Sequence, residues 1–273
     1  MKNTAINKAF ARVGDIRIAY QVSGEGPPLI CSHPMGWDQS LWDDHRDFFS
    51  RHFTLITFDQ RGSGDSTHPE FSEHEDSPYT TQGFGDDLCA VLDALNIDKA
   101  HVMGYSMGAV SALQFATTAP ARVDKLVLVS AMASRLPEDI IKRARQVEDV
   151  LDSEGLEKTY EFYFSGSMFE GEASKSSFRP KIEKVMRKAT PHGFKGCFRV
   201  TIDRPSLIER LGMISSATLV LAGERDRHYV SEAERLVERI ENAQQIIMPD
   251  SGHALTAQQP RNFENAVLSF LNE

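Results

Sequence analysis

The chain has 273 residues, of which 41% are hydrophobic and 25% charged, a composition typical of one large domain or one domain with an insertion. Its 39 acidic and 30 basic residues give a net charge of −9, so we expect neither a nucleic-acid nor a membrane partner. The three cysteines form no CxxC pair and are too few for a disulfide framework. We expect no metal ion and no cofactor.

The ends and apolar runs of the sequence bear on where the protein acts. The first residues, "MKNTAINKAFARVGD", lack the apolar stretch of a secretory signal. No apolar run approaches the roughly 18–20 residues that span a bilayer. We therefore predict a cytoplasmic protein, acting as a monomer or homodimer.

Strand-like and helix-like segments alternate along most of the chain. Apolar runs rich in β-branched residues predict strands, at 17–24, 28–33, 53–59, 100–106, 124–131, 217–223 and 243–249. Helical periodicity predicts helices at 38–50, 80–96 and 107–118, and two more in the C-terminal part. Ser231 and Glu234 have the spacing of a capping box at the start of the first of these two, and Phe263 and Phe270 belong to the apolar stripe of the second. This alternation is typical of a mostly parallel sheet with helices on both faces.

Residues 133–211 interrupt the alternation. They are charged and mostly helical in pattern, and polar segments at 166–177 and 190–193 break them up. We predict a helical cap insertion here, over a core made of residues 1–132 and 212–273. The aromatic run at 159–164 and Phe169 indicate either helical packing or a substrate wall. The basic residues of the insertion indicate either a solvated helix face or an anionic substrate.

The segment "GYSMG" holds Ser106 between two glycines, directly after a predicted strand and before a predicted helix. A sharp strand-to-helix turn exposes the serine hydroxyl and points the helix N-terminus at a developing oxyanion. The two glycines remove side chains that would clash in such a turn. This context predicts a nucleophile, whereas a tight turn without chemical function is the alternative.

A serine nucleophile needs a base, and the base needs an orienting acid. Asp226 follows the strand at 217–223, and His253 follows the last predicted strand. Both loops lie at the sheet edge that carries Ser106, so we predict Asp226 as the acid and His253 as the base. Glu224 and Asp250 are the alternative acids.

These segments together resemble the α/β-hydrolase superfamily along nearly the whole chain outside the insertion. The matching pieces are "SHPMG", "FDQRGSGDS", "GYSMGAV", "LAGERD" and "SGHALTAQQP". The resemblance implies an α/β-hydrolase fold, with a mostly parallel eight-stranded sheet and a helical cap. It also implies the chain order of serine, acid and histidine seen here. Within the superfamily, the pattern is most similar to 3-oxoadipate enol-lactonases and related hydrolases of small carboxylic esters.

The stretch "CSHPMGWDQSLW" follows a predicted strand, where the resemblance implies an oxyanion-hole loop. The resemblance implies two backbone N–H donors, one from Met107, the residue after the nucleophile, and one from Met35 in this loop, where Pro34 has no N–H to donate. Two features depart from the pattern of the relatives. Many relatives have His-Gly where this chain has His-Pro, and both tryptophans of this chain precede the serine, whereas enol-lactonase-like relatives usually carry one in the cap. The predicted substrate-pocket residues are His33, Trp37, Tyr105 and Phe164.

The segment "DQRGSGDS" has the glycines of a phosphate-binding loop but lacks the Lys-Ser/Thr pair of a P-loop. We interpret it as a turn in which Asp59 and Arg61 have structural roles.

Three functions fit these residues. The first is a serine hydrolase that cleaves a small carboxylic ester or lactone through an acyl-enzyme. The second is a C–C bond hydrolase or a cofactor-free perhydrolase with the same triad. The third is a small-ligand signalling receptor built on a hydrolase fold, which multiple turnover would distinguish from the enzymes.

Overall fold

The computed structural model describes residues 8–71, 77–165 and 178–273, except for the side chain of Phe178. Phe169 and the polar segment 166–177 lie outside this part of the chain. Eight strands form one sheet in the order β1-β2-β4-β3-β5-β6-β7-β8. They are β1 (Lys8–Val13), β2 (Ile16–Ser23), β3 (Pro28–Ser32), β4 (Thr54–Phe58), β5 (Ala100–Tyr105), β6 (Val123–Val129), β7 (Ala217–Gly223) and β8 (Ala243–Met248).

Only β2 runs against its neighbours. It pairs antiparallel with both β1 and β4, and every other neighbouring pair is parallel. The predicted mostly parallel eight-stranded sheet is therefore confirmed. Because the strands from β3 onwards are parallel, their carboxyl ends meet at one edge, which is where such sheets bind ligands.

Ten α-helices are described. They are α1 (Asp43–Phe49), α2 (Thr81–Ala94), α3 (Met107–Thr118), α4 (Glu138–Glu154), α5 (Leu156–Phe164), α6 (Phe178–Met186), α7 (Pro191–Asp203), α8 (Arg227–Arg239), α9 (Leu255–Gln258) and α10 (Pro260–Asn272).

The alternation of side chains in the strands builds one hydrophobic core on each face of the sheet. In β3, Ile30 packs into the core that contains residues of α2, α3 and α8. Its neighbours Leu29 and Cys31 pack into the opposite core, with residues of α1 and α10. Helices on both faces were predicted from the alternation of strands and helices, and the two cores confirm them.

Helices α4 to α7 lie in the chain between β6 and β7, inside the predicted cap range of 133–211. Their aromatic side chains pack together, with Tyr160 5.3 Å from Phe194 and Phe194 stacked 5.7 Å from Phe198 between ring centroids. The buried Glu232 of α8 accepts hydrogen bonds from the backbone N–H groups of Ala133 and Ser134. Residues 133 and 134 are thereby tied to α8.

One local prediction was wrong. The predicted capping box at Ser231 and Glu234 does not start α8, which begins at Arg227 with Asp226 as its N-cap residue. The predicted helix at 38–50 is present as a 3₁₀ turn at Gln39–Trp42, capped by the Asp38 side chain, which accepts from the Ser40 N–H, and α1 follows it directly. Among the described residues, no helix has the length and apolar character needed to cross a bilayer.

Candidate active site

Ser106 occupies the sharp turn between β5 and α3. Its backbone lies at φ 53° and ψ −111°, a strained conformation for a residue with a side chain. A Cβ at Gly104 would come within 2.3 Å of the Gly108 carbonyl oxygen, and a Cβ at Gly108 within 2.3 Å of the Ser32 oxygen. Glycine is therefore required at both positions, because Gly104 packs against the backbone of the first turn of α3 and Gly108 packs against the backbone at the end of β3.

The three residues predicted from strand ends meet at the carboxyl edge of the sheet. The Ser106 Oγ lies 3.0 Å from His253 Nε2, and His253 Nδ1 lies 2.7 Å from Asp226 Oδ2. The side chains of His253 and Asp226 are only 3% and 10% exposed. With Nδ1 donating to the carboxylate, Nε2 faces the serine hydroxyl as the acceptor of its proton, which is the arrangement that activates a hydroxyl.

The loops that carry the acid and the histidine pack closely on each other. A Cβ at Gly223 would lie 2.3 Å from the Gly252 carbonyl oxygen, so these backbones are in contact. The Tyr105 hydroxyl donates a hydrogen bond to the His253 carbonyl oxygen. The Gly252 N–H donates to the Gln258 side chain at 2.7 Å. These two hydrogen bonds fix the backbone at Gly252 and His253, and with it the position of the imidazole.

The loop after β3 is held by His33, which is fully buried. Its Nε2 accepts from the Gln60 N–H at 3.1 Å, so its Nδ1 carries the proton and donates to the Pro34 carbonyl at 2.9 Å. Burial lowers the pKa of His33, which keeps it neutral. His33 therefore supports the loop that presents Met35.

Both predicted oxyanion donors border Ser106. Met107 is the first residue of α3, and the first amide groups of a helix have no intrahelical acceptor. Met35 lines both cavities that contain Ser106, which are described below.

Asp59 and Arg61 hold the neighbouring loop in place. Arg61 makes a bidentate ion pair with the buried Asp87, at distances of 2.6 and 3.0 Å. Asp59 accepts from the backbone N–H groups of Gln39 at 2.7 Å and Asp65 at 2.8 Å. Burial and the nearby Asp38 raise the pKa of Asp59 to about 6. These contacts join the "DQRGSGDS" loop to the segment that follows β3.

Two cavities open next to Ser106. The small cavity, of about 230 Å³, is bordered by the loop after β3, by α1 and by α9. Its lining includes Trp37, Leu41, Asp44, Tyr105, Lys181, His253 and Ala257. The large cavity, of about 390 Å³, lies beneath α4 and α7. Its lining includes Leu136, Ile140, Ala144, Val147, Phe198, Ile202 and Tyr229. Met35, Ser106 and Tyr163 line both.

The four predicted pocket residues divide into two pairs. Trp37 and Tyr105 line the small cavity. Phe164 packs edge-on against Trp37, with ring centroids 6.2 Å apart, and lines a separate groove between α5 and α6. His33 lies behind the loop. In the described lining of the two cavities at Ser106, neither His33 nor Phe164 appears.

Tyr229 is a site residue that the sequence did not indicate. It lies on the first turn of α8, its ring centroid is 4.7 Å from that of His253, and it lines the large cavity. Burial raises the pKa of its phenol, and the Ser106 hydroxyl lies close enough to affect that pKa. The phenol is therefore neutral and able to donate a hydrogen bond. Its position one helical turn after Asp226 is the only sequence signal for this role.

A salt bridge closes one side of the small cavity. Lys181 of α6 pairs with Asp44 of α1, and both line that cavity. Within the described part of the chain, no group of three or more His, Cys, Asp or Glu side chains is placed to hold a metal ion.

Comparisons with known proteins show which family the fold belongs to. Residues 32–258 match the family model described as the alpha/beta hydrolase fold. The chain is 26% identical over 250 residues to 3-oxoadipate enol-lactonase 1 of Acinetobacter baylyi, with 90% of each chain covered. It is 28% identical over 252 residues to a putative carbamate hydrolase of Caulobacter sp., with 89% of this chain and 90% of the relative covered. A solved hydrolase structure from Pseudomonas aeruginosa superposes with a TM-score of 0.84 at 28% identity, covering 98% of this chain and 99% of the other.

Proposed function

The chain belongs to the alpha/beta-hydrolase fold family, and on that premise we propose that it is a serine hydrolase that cleaves a small carboxylic ester or lactone through an acyl-enzyme. One observation carries the proposal. Ser106 sits at a strained turn beside both cavities, and its hydroxyl lies 3.0 Å from a histidine that a buried aspartate orients.

In the first step, Ser106 Oγ attacks the carbonyl carbon while His253 Nε2 takes the hydroxyl proton. Asp226 holds the proton on Nδ1 and stabilises the imidazolium that forms. Because both side chains are largely shielded from water, their interaction is stronger than it would be at the surface.

The backbone N–H groups of Met35 and Met107 are proposed to stabilise the tetrahedral oxyanion. Loss of one such donor typically lowers the rate about 100–1000-fold. The alcohol then leaves with the proton from His253, and the acyl group stays on Ser106. Water attacks the acyl-enzyme with His253 as base, which releases the acid and restores the serine hydroxyl.

Support for an ester or lactone comes from the site and from the relatives together. The small and the large cavity both lie at the sheet edge, and their volumes of about 230 and 390 Å³ suit a small-molecule substrate. The relatives described above include an enol-lactonase and a putative carbamate hydrolase, and lactones and carbamates both contain a carbonyl carbon bonded to oxygen. The cap range 133–211, the cytoplasmic location and the monomer-or-homodimer state stay predictions.

The direct test is turnover of p-nitrophenyl butyrate by Ser106→Ala. We expect kcat to fall about a thousand-fold or more, because the nucleophile is lost. Ser153→Ala, which changes a serine on α4 away from both cavities, is the matched control and should retain activity. Wild-type turnover by Ser106→Ala would overturn the assignment.

A further inference from the structure

The two cavities at Ser106 differ in size and lining, and they touch only where Met35, Ser106 and Tyr163 border both in the described lining. We infer that the ester is divided between them, with an apolar acyl chain in the large cavity and a small, polar alcohol part in the small cavity. This inference rests on the proposed serine hydrolysis and names its substrate class.

The position of the proton donor decides which part of the ester goes where. The leaving alcohol oxygen must reach His253 Nε2 to receive its proton. His253 lines the small cavity, whereas the described lining of the large cavity does not include it. On the large-cavity side, the ring of Tyr229 lies against the imidazole at 4.7 Å. The alcohol therefore occupies the small cavity.

The chemistry of the two linings points the same way. The large cavity is walled mainly by apolar side chains, from Leu136, Ile140, Ala144, Val147, Phe198 and Ile202, and its polar members include Arg143, Ser165 and Thr201. Most of these apolar side chains are buried, so an alkyl chain that replaces water among them is favoured by the hydrophobic effect. The small cavity also has apolar and aromatic side chains in its wall, Trp37 and Leu41 among them, but its Asp44–Lys181 salt bridge, His45 and Thr256 give a polar group partners that the large cavity has fewer of.

The bonds that form and break in the reaction determine when the acyl part and the alcohol part of the ester leave their cavities. The Ser106 oxygen forms a bond to the carbonyl carbon, the bond from that carbon to the alcohol oxygen breaks, and His253 passes the serine proton to the leaving oxygen. The alcohol departs from the small cavity, and water can then approach His253 through the vacated space. The acyl chain stays in the large cavity until the second step.

The same substitution can be made in each cavity. Ala144 of α4 lines the large cavity, and Ala257 of α9 lines the small one. Ala144→Phe should lower the ratio of kcat/KM for p-nitrophenyl octanoate to kcat/KM for p-nitrophenyl acetate at least about tenfold, because the added ring fills the space that only the longer acyl chain reaches. Ala257→Phe should slow the hydrolysis of butyl hexanoate relative to that of methyl hexanoate, both measured by titration of the released acid. It should leave the octanoate-to-acetate ratio of kcat/KM unchanged.

The opposite pattern, in which Ala257→Phe discriminates acyl chains and Ala144→Phe discriminates alcohols, would overturn the division. If Ala144→Phe also loses the acetate activity or its thermal transition, Val147→Ala provides the second test by enlarging the same cavity. That variant should raise the octanoate-to-acetate ratio, and an unchanged ratio would overturn the inference. If the wild-type protein cleaves no ester, the proposed function itself fails, which is a separate result.

Discussion

The ring of Tyr229 lies against the ring of His253, with centroids 4.7 Å apart and planes inclined by 52°. Tyr229 is buried, and its neutral phenol lies near the Ser106 hydroxyl. One side chain thus contacts the proposed base, approaches the proposed nucleophile and forms part of the wall of the large cavity.

Removing only the Tyr229 hydroxyl should slow the reaction modestly. Tyr229→Phe keeps the ring against His253 but loses a neutral hydrogen-bonding group, so we expect kcat to fall about threefold to tenfold with KM little changed. The kcat of Tyr229→Ala should fall further, because this substitution also exposes the His253 imidazole. Steady-state kinetics with p-nitrophenyl butyrate measures both, and wild-type kcat in both variants would contradict this role.

Asp226 should be the acid that orients His253, rather than Glu224 or Asp250. Asp226→Asn leaves the shape of the site but favours the wrong histidine tautomer, so we expect kcat to fall about 10³–10⁴-fold. Glu224→Gln and Asp250→Asn are the matched controls. Asp250 is 80% exposed and pairs with Arg225, and Glu224 accepts from the Asp250 N–H. A larger loss in either control than in Asp226→Asn would reassign the acid.

Gly108 should tolerate no side chain. A Cβ there would lie 2.3 Å from the Ser32 carbonyl oxygen, which is rigid backbone. Gly108→Ala should lower the free energy of unfolding by about 3 kcal/mol and also reduce activity, because α3 must move away from β3. Gly212→Ala is the control, since a Cβ there meets nothing within 4 Å. Urea unfolding that shows equal stability for both variants would contradict the tight packing.

Asp59 should make stability fall as pH rises. Burial and Asp38 raise its pKa to about 6 in the folded protein, above the value of about 3.9 expected in the unfolded chain. The contribution of Asp59 to the free energy of unfolding is therefore fully present below about pH 4, and it is lost as the pH rises through about 6. At about 1.4 kcal/mol per pKa unit, the loss is about 3 kcal/mol.

Asp59→Asn should remove this dependence, because an amide does not titrate over the range. Urea unfolding between pH 4 and 7 is expected to show wild-type stability declining relative to the variant. A relative stability that is flat or that rises with pH would show that the folded protein does not hold the Asp59 proton more tightly.

The fold and the positions of Ser106, Asp226 and His253 could be predicted because Ser106 directly follows a strand and the other two lie in the loops after β7 and β8. Parallel strands end at one sheet edge, so local sequence context is enough to bring their loops together. The strand β1 gives a weak signal, because it is an edge strand in which only Ala11 is buried. Its position was therefore not assigned from hydrophobic periodicity.

Contacts between distant segments could not be predicted in the same way. His33 looks like a polar loop residue, but its partner Gln60 lies 27 residues away and the ring is fully buried. Tyr229 was missed because the Ser231 and Glu234 spacing favoured a later helix start. When α8 instead begins at Arg227, its first turn carries Tyr229 towards His253.

The most direct test of the proposed mechanism is covalent labelling by a fluorophosphonate, followed by intact-mass measurement and peptide mapping. The wild-type protein should gain one phosphonyl group, on Ser106, because only an activated serine attacks such phosphorus centres at neutral pH. Ser106→Ala should gain none, and His253→Ala should react far more slowly. Labelling of another residue, or equal labelling of Ser106→Ala, would contradict Ser106 as the nucleophile.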